Sequence, residues 1–192
     1  MSEVKVMAFA GSARKESFNR RLIGFAAAAV EKHGGSVTVV DLAEYPLPIF
    51  DEDLESSDGA PENATKLFEL FAAHDALLIA SPEYNSSVTA LLKNTIDWVS
   101  RPRENQPMLA AFSGKVAGLM AASPGALGGM RGLVHLRAIL SNIGMLVIPD
   151  QVAVGKAHQA FDDDGNLVNG STATRVDSLA AALVRTAGRL AD

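Results

Sequence analysis

Five short, β-rich apolar runs alternate with longer segments of helical periodicity, and this order constrains the chain more than any other feature. The runs are Val4–Ala10, Ser36–Asp41, Ala76–Ser81, Val116–Ala122 and Met145–Ile148. Strands alternating with helices ask for repeated βα units and a parallel sheet. Runs nearly continuous in apolar side chains suit strands covered on both faces. The first helix is expected from about Asn19 to His33, with Leu22, Ile23, Ala26, Ala29 and Val30 inward and Gly34-Gly35 as its stop. A second begins at Pro61, with Leu67, Leu70 and Phe71 inward. A third covers Val88–Val99, capped by Ser86 or Ser87 and ended by Arg101-Pro102. A fourth spans Arg131–Ile143 and closes at Gly144; a fifth spans Thr172–Leu190. The acidic Asp51–Gly59 stretch reads as an exposed loop, and 150–170 as a surface excursion with a turn at Asp162-Asp163-Asp164-Gly165-Asn166.

At 192 residues, against a prior of about 150 per domain, positions 1–192 are expected to form one α/β domain. The predicted architecture is a three-layer sandwich, a five-stranded parallel sheet with helices on both faces. Strand order 2-1-3-4-5, as in flavodoxin-like folds, fits as well as a truncated Rossmann sheet. Either way a ligand belongs outside the carboxyl ends of the strands, at the switch point.

Composition removes several classes. A net charge of −5 gives no electrostatic footprint for nucleic acid. Zero cysteines exclude disulfides, thiolate metal sites and thiol catalysis. The four histidines show neither His-x-x-x-His nor His-Glu-x-x-His spacing, and the Asp162–Asn166 run lacks a glutamate at the twelfth position of a calcium loop, so no metal is expected. No run approaches the ~18 apolar residues of a spanning helix, and the opening MSEVKVMAFAGS has no secretory pattern. The expectations are therefore no membrane partner and a cytoplasmic location.

Three loops then carry the chemistry. The first, Gly11 to Arg20, enters a helix with Ser12, Arg14, Ser17 and Asn19 as donors. Helix N-terminal amides and a cationic fork suit a phosphate; the plainer alternative is Ser17 as a cap and Arg14 as a solvated charge. The loop is neither Gly-x-Gly-x-x-Gly nor a Walker A motif. The second, Ser81-Pro82-Glu83-Tyr84-Asn85-Ser86-Ser87, is a polar turn with one aromatic that suits a planar, hydrogen-bonding ring, or simply a Pro-initiated turn leading into a helix. The third, Ser123-Pro124-Gly125-Ala126-Leu127-Gly128-Gly129, lets backbone approach a flat ligand closely, or acts as a hinge.

Together these motifs resemble the NADPH-dependent FMN reductase family of flavodoxin-like proteins, which includes quinone, chromate and azo-dye reductases. The resemblance rests on Gly-Ser-x-Arg-x-x-Ser-x-Asn at Gly11–Asn19, Pro-Glu-Tyr-Asn at Pro82–Asn85 running into Leu-Lys-Asn-x-Ile-Asp-Trp at Leu92–Trp98, and Ser-Pro-Gly with Gly-Gly over Ser123–Gly129. It implies that Ser12, Arg14, Ser17 and Asn19 hold the FMN phosphate. Pro82, Glu83, Tyr84, Asn85 and Ser86 would line the isoalloxazine and ribityl groups, and Ser123 and Gly125 would close the ring site. It further implies NADPH or NADH as co-substrate, a small-molecule electron acceptor, no dedicated catalytic side chain, and a homodimer or homotetramer with Arg101–Phe112 as a candidate contact. Two departures bear on the acceptor: Ser86-Ser87 where relatives often place an aromatic, and Met130 after the Gly pair where a small residue is common. The rival classes are a flavodoxin-type electron carrier without NAD(P)H turnover and a hydrolase or transferase using Ser12 or Ser123 as nucleophile, although neither serine lies in a Gly-x-Ser-x-Gly elbow.

Overall fold

A computed structural model describes residues 3–191. Its sheet has five parallel strands, β1 (Val4–Ala10), β2 (Gly35–Val40), β3 (Ala76–Ala80), β4 (Val116–Ala122) and β5 (Leu146–Val154), in the order β2-β1-β3-β4-β5. The order is the flavodoxin-like one. Period-two side-chain alternation divides the core in two. Val4, Val6, Ala8 and Ala10 face α1 (Phe18–Lys32) and α6 (Gly170–Ala191). Met7 and Phe9 face α3 (Glu62–Ala72), α4 (Ala90–Val99) and α5 (Met130–Asn142). β3 and β4 are buried along their whole length, which is why their sequences carry no polar alternation.

Three expectations need correction. The Asp51–Gly59 stretch is not a loop throughout: Glu52–Asp58 forms a short helix, α2. The Asp51 carboxylate caps it, accepting from the amides of Asp53 and Leu54 at 2.8 and 3.4 Å, and Gly59 at φ 78° ends it. Because α2 buries no residue, it has no apolar stripe to read. Second, β5 runs on to Val154 instead of ending at Ile148. Pairing passes from Ala117↔Val147 to Leu119↔Gln151, so β5 carries two extra residues in a bulge whose Pro149-Asp150 mimics a strand end. The Arg137 guanidinium fills the bulge, donating to the carbonyls of Val147 and Ile148 at 3.1 and 2.9 Å. Third, α4 starts at Ala90 and is capped by Thr89, not by Ser86 or Ser87.

At the amino ends of the strands the fold is closed by side chains binding backbone. Lys115 Nζ donates to the carbonyls of Ala72 and His74, and the Asp75 carboxylate accepts from the Lys5 amide at 2.8 Å. Burial pushes the Lys115 ammonium below its ordinary value, with Asp75 opposing the shift. Trp98, fully buried on α4, donates Nε1–H to the Pro48 carbonyl at 2.8 Å. The Asn94 carboxamide adds a bond from Nδ2 to Pro48 O and accepts from the Phe50 amide, both 2.8 Å, so these two motif residues strap the 46–50 segment to α4.

Candidate cofactor site

The carboxyl ends of β1, β3 and β4 release their loops side by side, as the strand order requires. The β1 loop is fastened from beneath. The Gly11 amide continues the sheet pairing to Ala80 O at 2.9 Å, while Thr89 Oγ1 donates to Gly11 O at 2.7 Å and also caps α4. A Cβ on Gly11 would stand 3.1 Å from Leu92 Cδ2. Asn19 is 3 % exposed and clamps the next strand: its Nδ2 donates to Ala122 O and its Oδ1 accepts from the Ala122 amide, both 2.9 Å. The carboxamide thus imitates a sheet partner and ties the start of α1 to the end of β4.

The same loop keeps other donors uncommitted. Ser17 occupies the N-cap position of α1, yet its hydroxyl makes no cap bond, so the amides of the first turn lack the side-chain acceptor that a cap supplies. Ser12 Oγ accepts from the Arg14 amide at 3.3 Å, which leaves its hydroxyl hydrogen to give. The Arg14 side chain is exposed. Two hydroxyls, a helix N-terminus and an exposed guanidinium are the donor set that a phosphate dianion requires.

The β3 loop is a two-residue hairpin. The amides of Tyr84 and Ser87 exchange bonds with each other's carbonyls at 3.0 Å, and both central residues are left-handed, Asn85 at φ 50° and Ser86 at φ 64°. This is the primed turn that favours Asn-Gly; a serine at the second position costs roughly 1–2 kcal/mol of backbone strain. Tyr84 and Asn85 project outward. Glu83 does not. Its carboxylate turns to α5, where Oε2 accepts from the amides of Arg131 and Gly132 at 3.0 and 3.2 Å and Oε1 meets the Arg131 guanidinium. Burial raises this carboxyl, but the guanidinium and the two amides outweigh it and hold Glu83 below the ordinary carboxylate range. Glu83 can therefore offer a ligand its backbone, not its charge.

The β4 loop closes the third side. Ser123 is tied to β5 and to the short turn beyond it, its amide donating to Val154 O and its carbonyl accepting from the Ala157 amide, both at 3.0 Å. Its hydroxyl accepts from the Gly125 amide at 3.2 Å. Gly128 and Gly129 have φ 63° and 89°, and a Cβ on Gly128 would meet Val154 backbone at 2.7 Å, so the packing alone requires glycine here. Gly125 is different: only Ser123 Oγ lies near its would-be Cβ, while its amide donates to that hydroxyl and its carbonyl accepts from the Gly128 and Lys156 amides.

The family model described as NADPH-dependent FMN reductase matches residues 4–159, which include all three loops. The chain belongs to the NADPH-dependent FMN reductase family. It is 38% identical over 168 residues to the NAD(P)H-dependent FMN reductase of Pseudomonas aeruginosa, covering 87% of this chain and 86% of that one. It is 36% identical over 173 residues to a quinone reductase of Pseudomonas putida, with 87% of each chain covered. Among solved structures, the flavoenzyme NAD(P)H:(acceptor) oxidoreductase FerB from Paracoccus denitrificans superposes with a TM-score of 0.82 at 26% identity, covering 97% of this chain and 98% of that one.

For this FMN reductase family member, the residues present fit the cofactor. Donors suited to a phosphate lie on the β1 loop, and the β3 hairpin carries an exposed tyrosine and asparagine. The sequence groups Ser12, Arg14, Ser17 and Asn19 as phosphate donors; the structure keeps all four on one loop but commits the Asn19 carboxamide to Ala122. Sequence reading missed Thr89, Arg131 and His135. Thr89 was hidden because its role depends on a carbonyl 78 residues away. Arg131 and His135, four apart on α5, grip residues 48 positions earlier. Two sizeable grooves lie elsewhere, about 870 Å³ beside His33, Val184 and Arg189 and about 530 Å³ between α1 and α6.

Proposed function

We infer that this protein is an FMN-dependent NAD(P)H oxidoreductase that passes reducing equivalents to a small acceptor of the quinone class. The carrying observation is the β1 loop: uncommitted serine hydroxyls, an uncapped helix N-terminus and an exposed arginine, one strand away from a rigid polar hairpin. FMN, when bound, supplies the hydride chemistry, accepting from a nicotinamide and giving to the acceptor. The chain's part is placement. Ser12, Arg14 and Ser17 hold the phosphate. Asn19 keeps that loop in line with β4. Pro82, Glu83, Tyr84, Asn85 and Ser86 present backbone groups and one aromatic to the ring and ribityl chain, and Ser123 with Gly125 closes the far side. Each directional contact fixes the geometry in which donor and acceptor must stack, and this is the main catalytic contribution that positioning can make.

An exposed apolar stripe on and before α5, Leu127, Met130 and Val134, lies beside the site and supports a homodimer or homotetramer. Such a partner would lie against the β4 loop and α5, beside the three loops. Within the candidate contact segment 101–112, residues 104–108 are exposed, Met108 among them, while Ala111 and Phe112 belong to the core and Arg101 pairs with Glu55. No helix among the described residues is long and apolar enough to cross a membrane. A cytoplasmic location belongs to the same reading, since nicotinamide reductants are the electron source.

The test is a visible spectrum of the protein with FMN, followed by anaerobic NADPH and then NADH. Prompt bleaching, reversed by a quinone, is the expected result. Flavin binding without bleaching by either nicotinamide would identify an electron carrier, and absence of flavin binding would defeat the reading of the three loops.

A further inference from the structure

We propose that Arg131, assisted by His135, is a positioning residue that clasps the strained Tyr84–Ser87 hairpin into the conformation that receives FMN. The inference rests on the FMN reading above and concerns a helix that none of the three loops includes.

The hairpin is anchored to α5 at both ends. At its start, Glu83 is held by the amides of Arg131 and Gly132 and by the Arg131 guanidinium, whose Nε donates to Oε1 at 2.8 Å. At its end, Ser87 Oγ lies 2.9 Å from His135 Nδ1. Arg131 and His135 are i and i+4 on α5 and so stack on one face of the helix. Between them Gly132 brings backbone to backbone: an added Cβ would stand 3.1 Å from Ser87 O and 3.4 Å from Glu83 Cβ. The turn itself has two cross-bonds, Tyr84 to Ser87 and back, and two left-handed residues, the second of which is not glycine. Such a turn favours other conformations when its ends are free. The carboxylate stays charged at neutral pH, because the guanidinium and the helix amides outweigh the effect of burial.

Fixing the hairpin from α5 has a consequence for binding. If only a fraction of molecules carries the turn in its receptive form, the apparent affinity for FMN falls by that fraction. Loss of Arg131 should therefore weaken binding through conformation, and a residue that relieves the strain should compensate.

The experiment titrates FMN into the full-length apoprotein by flavin fluorescence, comparing wild type with Arg131→Ala, Arg131→Lys and the double variant Arg131→Ala/Ser86→Gly. In parallel, amide NMR of the FMN-free proteins tracks Tyr84–Ser87. Arg131→Ala is expected to bind FMN about tenfold more weakly, which is the loss produced by a hairpin receptive in one molecule in ten. Its hairpin amides should shift or broaden while those of β3 and β4 stay in place. Arg131→Lys should fall between, since a point charge cannot make the two-pronged contact. Ser86→Gly in the Arg131→Ala background should return affinity to within about twofold of wild type, because glycine adopts the turn freely. Wild-type affinity in Arg131→Ala, or a loss that Ser86→Gly leaves untouched, would overturn the clasp while the FMN site stands. A wild-type protein that binds no FMN would overturn both.

Discussion

The β1 loop, proposed to take the phosphate, and the β3 hairpin, proposed to take the ring, stand one strand apart, yet they are built on opposite plans. The β1 loop is secured from below by backbone, through Gly11 to Ala80, by Thr89 from the start of α4, and by its own Asn19 reaching to Ala122. Its own Ser17 hydroxyl makes no cap bond and its Arg14 side chain is exposed. The hairpin spends its side chains on its own support: Glu83 and Ser87 reach α5, and what faces outward is backbone, Tyr84 and Asn85. The difference reflects what each end of the ligand asks. A phosphate dianion is held by charge, which tolerates a moving arginine. The edge of a planar ring is read by directional bonds that weaken steeply with angle, so its partners must be rigid.

The largest test breaks the support beneath the phosphate loop. Asn19→Ala leaves a buried amide and a buried carbonyl of Ala122 without partners, at about 1–3 kcal/mol each. A loss of about 3 kcal/mol in urea unfolding is expected, equivalent to a fall of roughly 6–12 °C in Tm for a chain of this size. A change below about 1 kcal/mol would mean that the clamp is dispensable. The next variant leaves the support intact and removes the donor. Arg14→Ala should weaken FMN roughly 10- to 100-fold, the range of a hydrogen bond to a charged group, with no change in unfolding. Riboflavin, which lacks the phosphate, should bind wild type and Arg14→Ala alike. An equal loss for riboflavin would place Arg14 at the ring instead.

The loop proposed for the phosphate could be located in the sequence because its logic is local. A strand, a serine-rich turn and a helix start succeed one another, and Ser12, Arg14 and Ser17 are all found within six residues. The sheet was legible for a similar reason: β1, β3 and β4 are buried on both faces and so read as apolar runs. Illegible features depend on partners far along the chain. Glu83 reads as a cofactor contact until α5 is seen to take its carboxylate, and Asn19 as a phosphate donor until Ala122 is seen to occupy it. α2 and the second half of β5 failed differently. One buries nothing, and the other interrupts its own periodicity with a bulge that Arg137 repairs from outside.

A smaller effect separates the two regions by pH. The folded-state carboxyl of Glu83 titrates below its ordinary value, so its contribution is complete above the usual carboxylate range and is lost as pH falls through the folded value. Riboflavin binding, which reports the ring side without the phosphate's own titration, should weaken by no more than a few-fold between pH 7 and pH 4, because Arg131 is exposed and screened. Glu83→Gln keeps acceptors for the two amides and should flatten that profile. An unchanged profile would show that the hairpin does not depend on the charge.

The smallest expected effect sharpens the contrast most directly, because it alters the hairpin without touching its anchors. Ser86 sits at φ 64°, where a serine carries about 1–2 kcal/mol of strain that glycine does not. Glycine also loses about 0.5–1 kcal/mol more conformational freedom on folding. Ser86→Gly with Arg131 intact should therefore stabilise the protein by about 0.5–1 kcal/mol in urea unfolding and leave FMN affinity within about twofold of wild type, since the clasp already holds the turn. A large gain in affinity would mean that the wild-type hairpin is not fully held by α5. A loss of stability would mean that the serine hydroxyl makes a contact worth more than the strain it imposes.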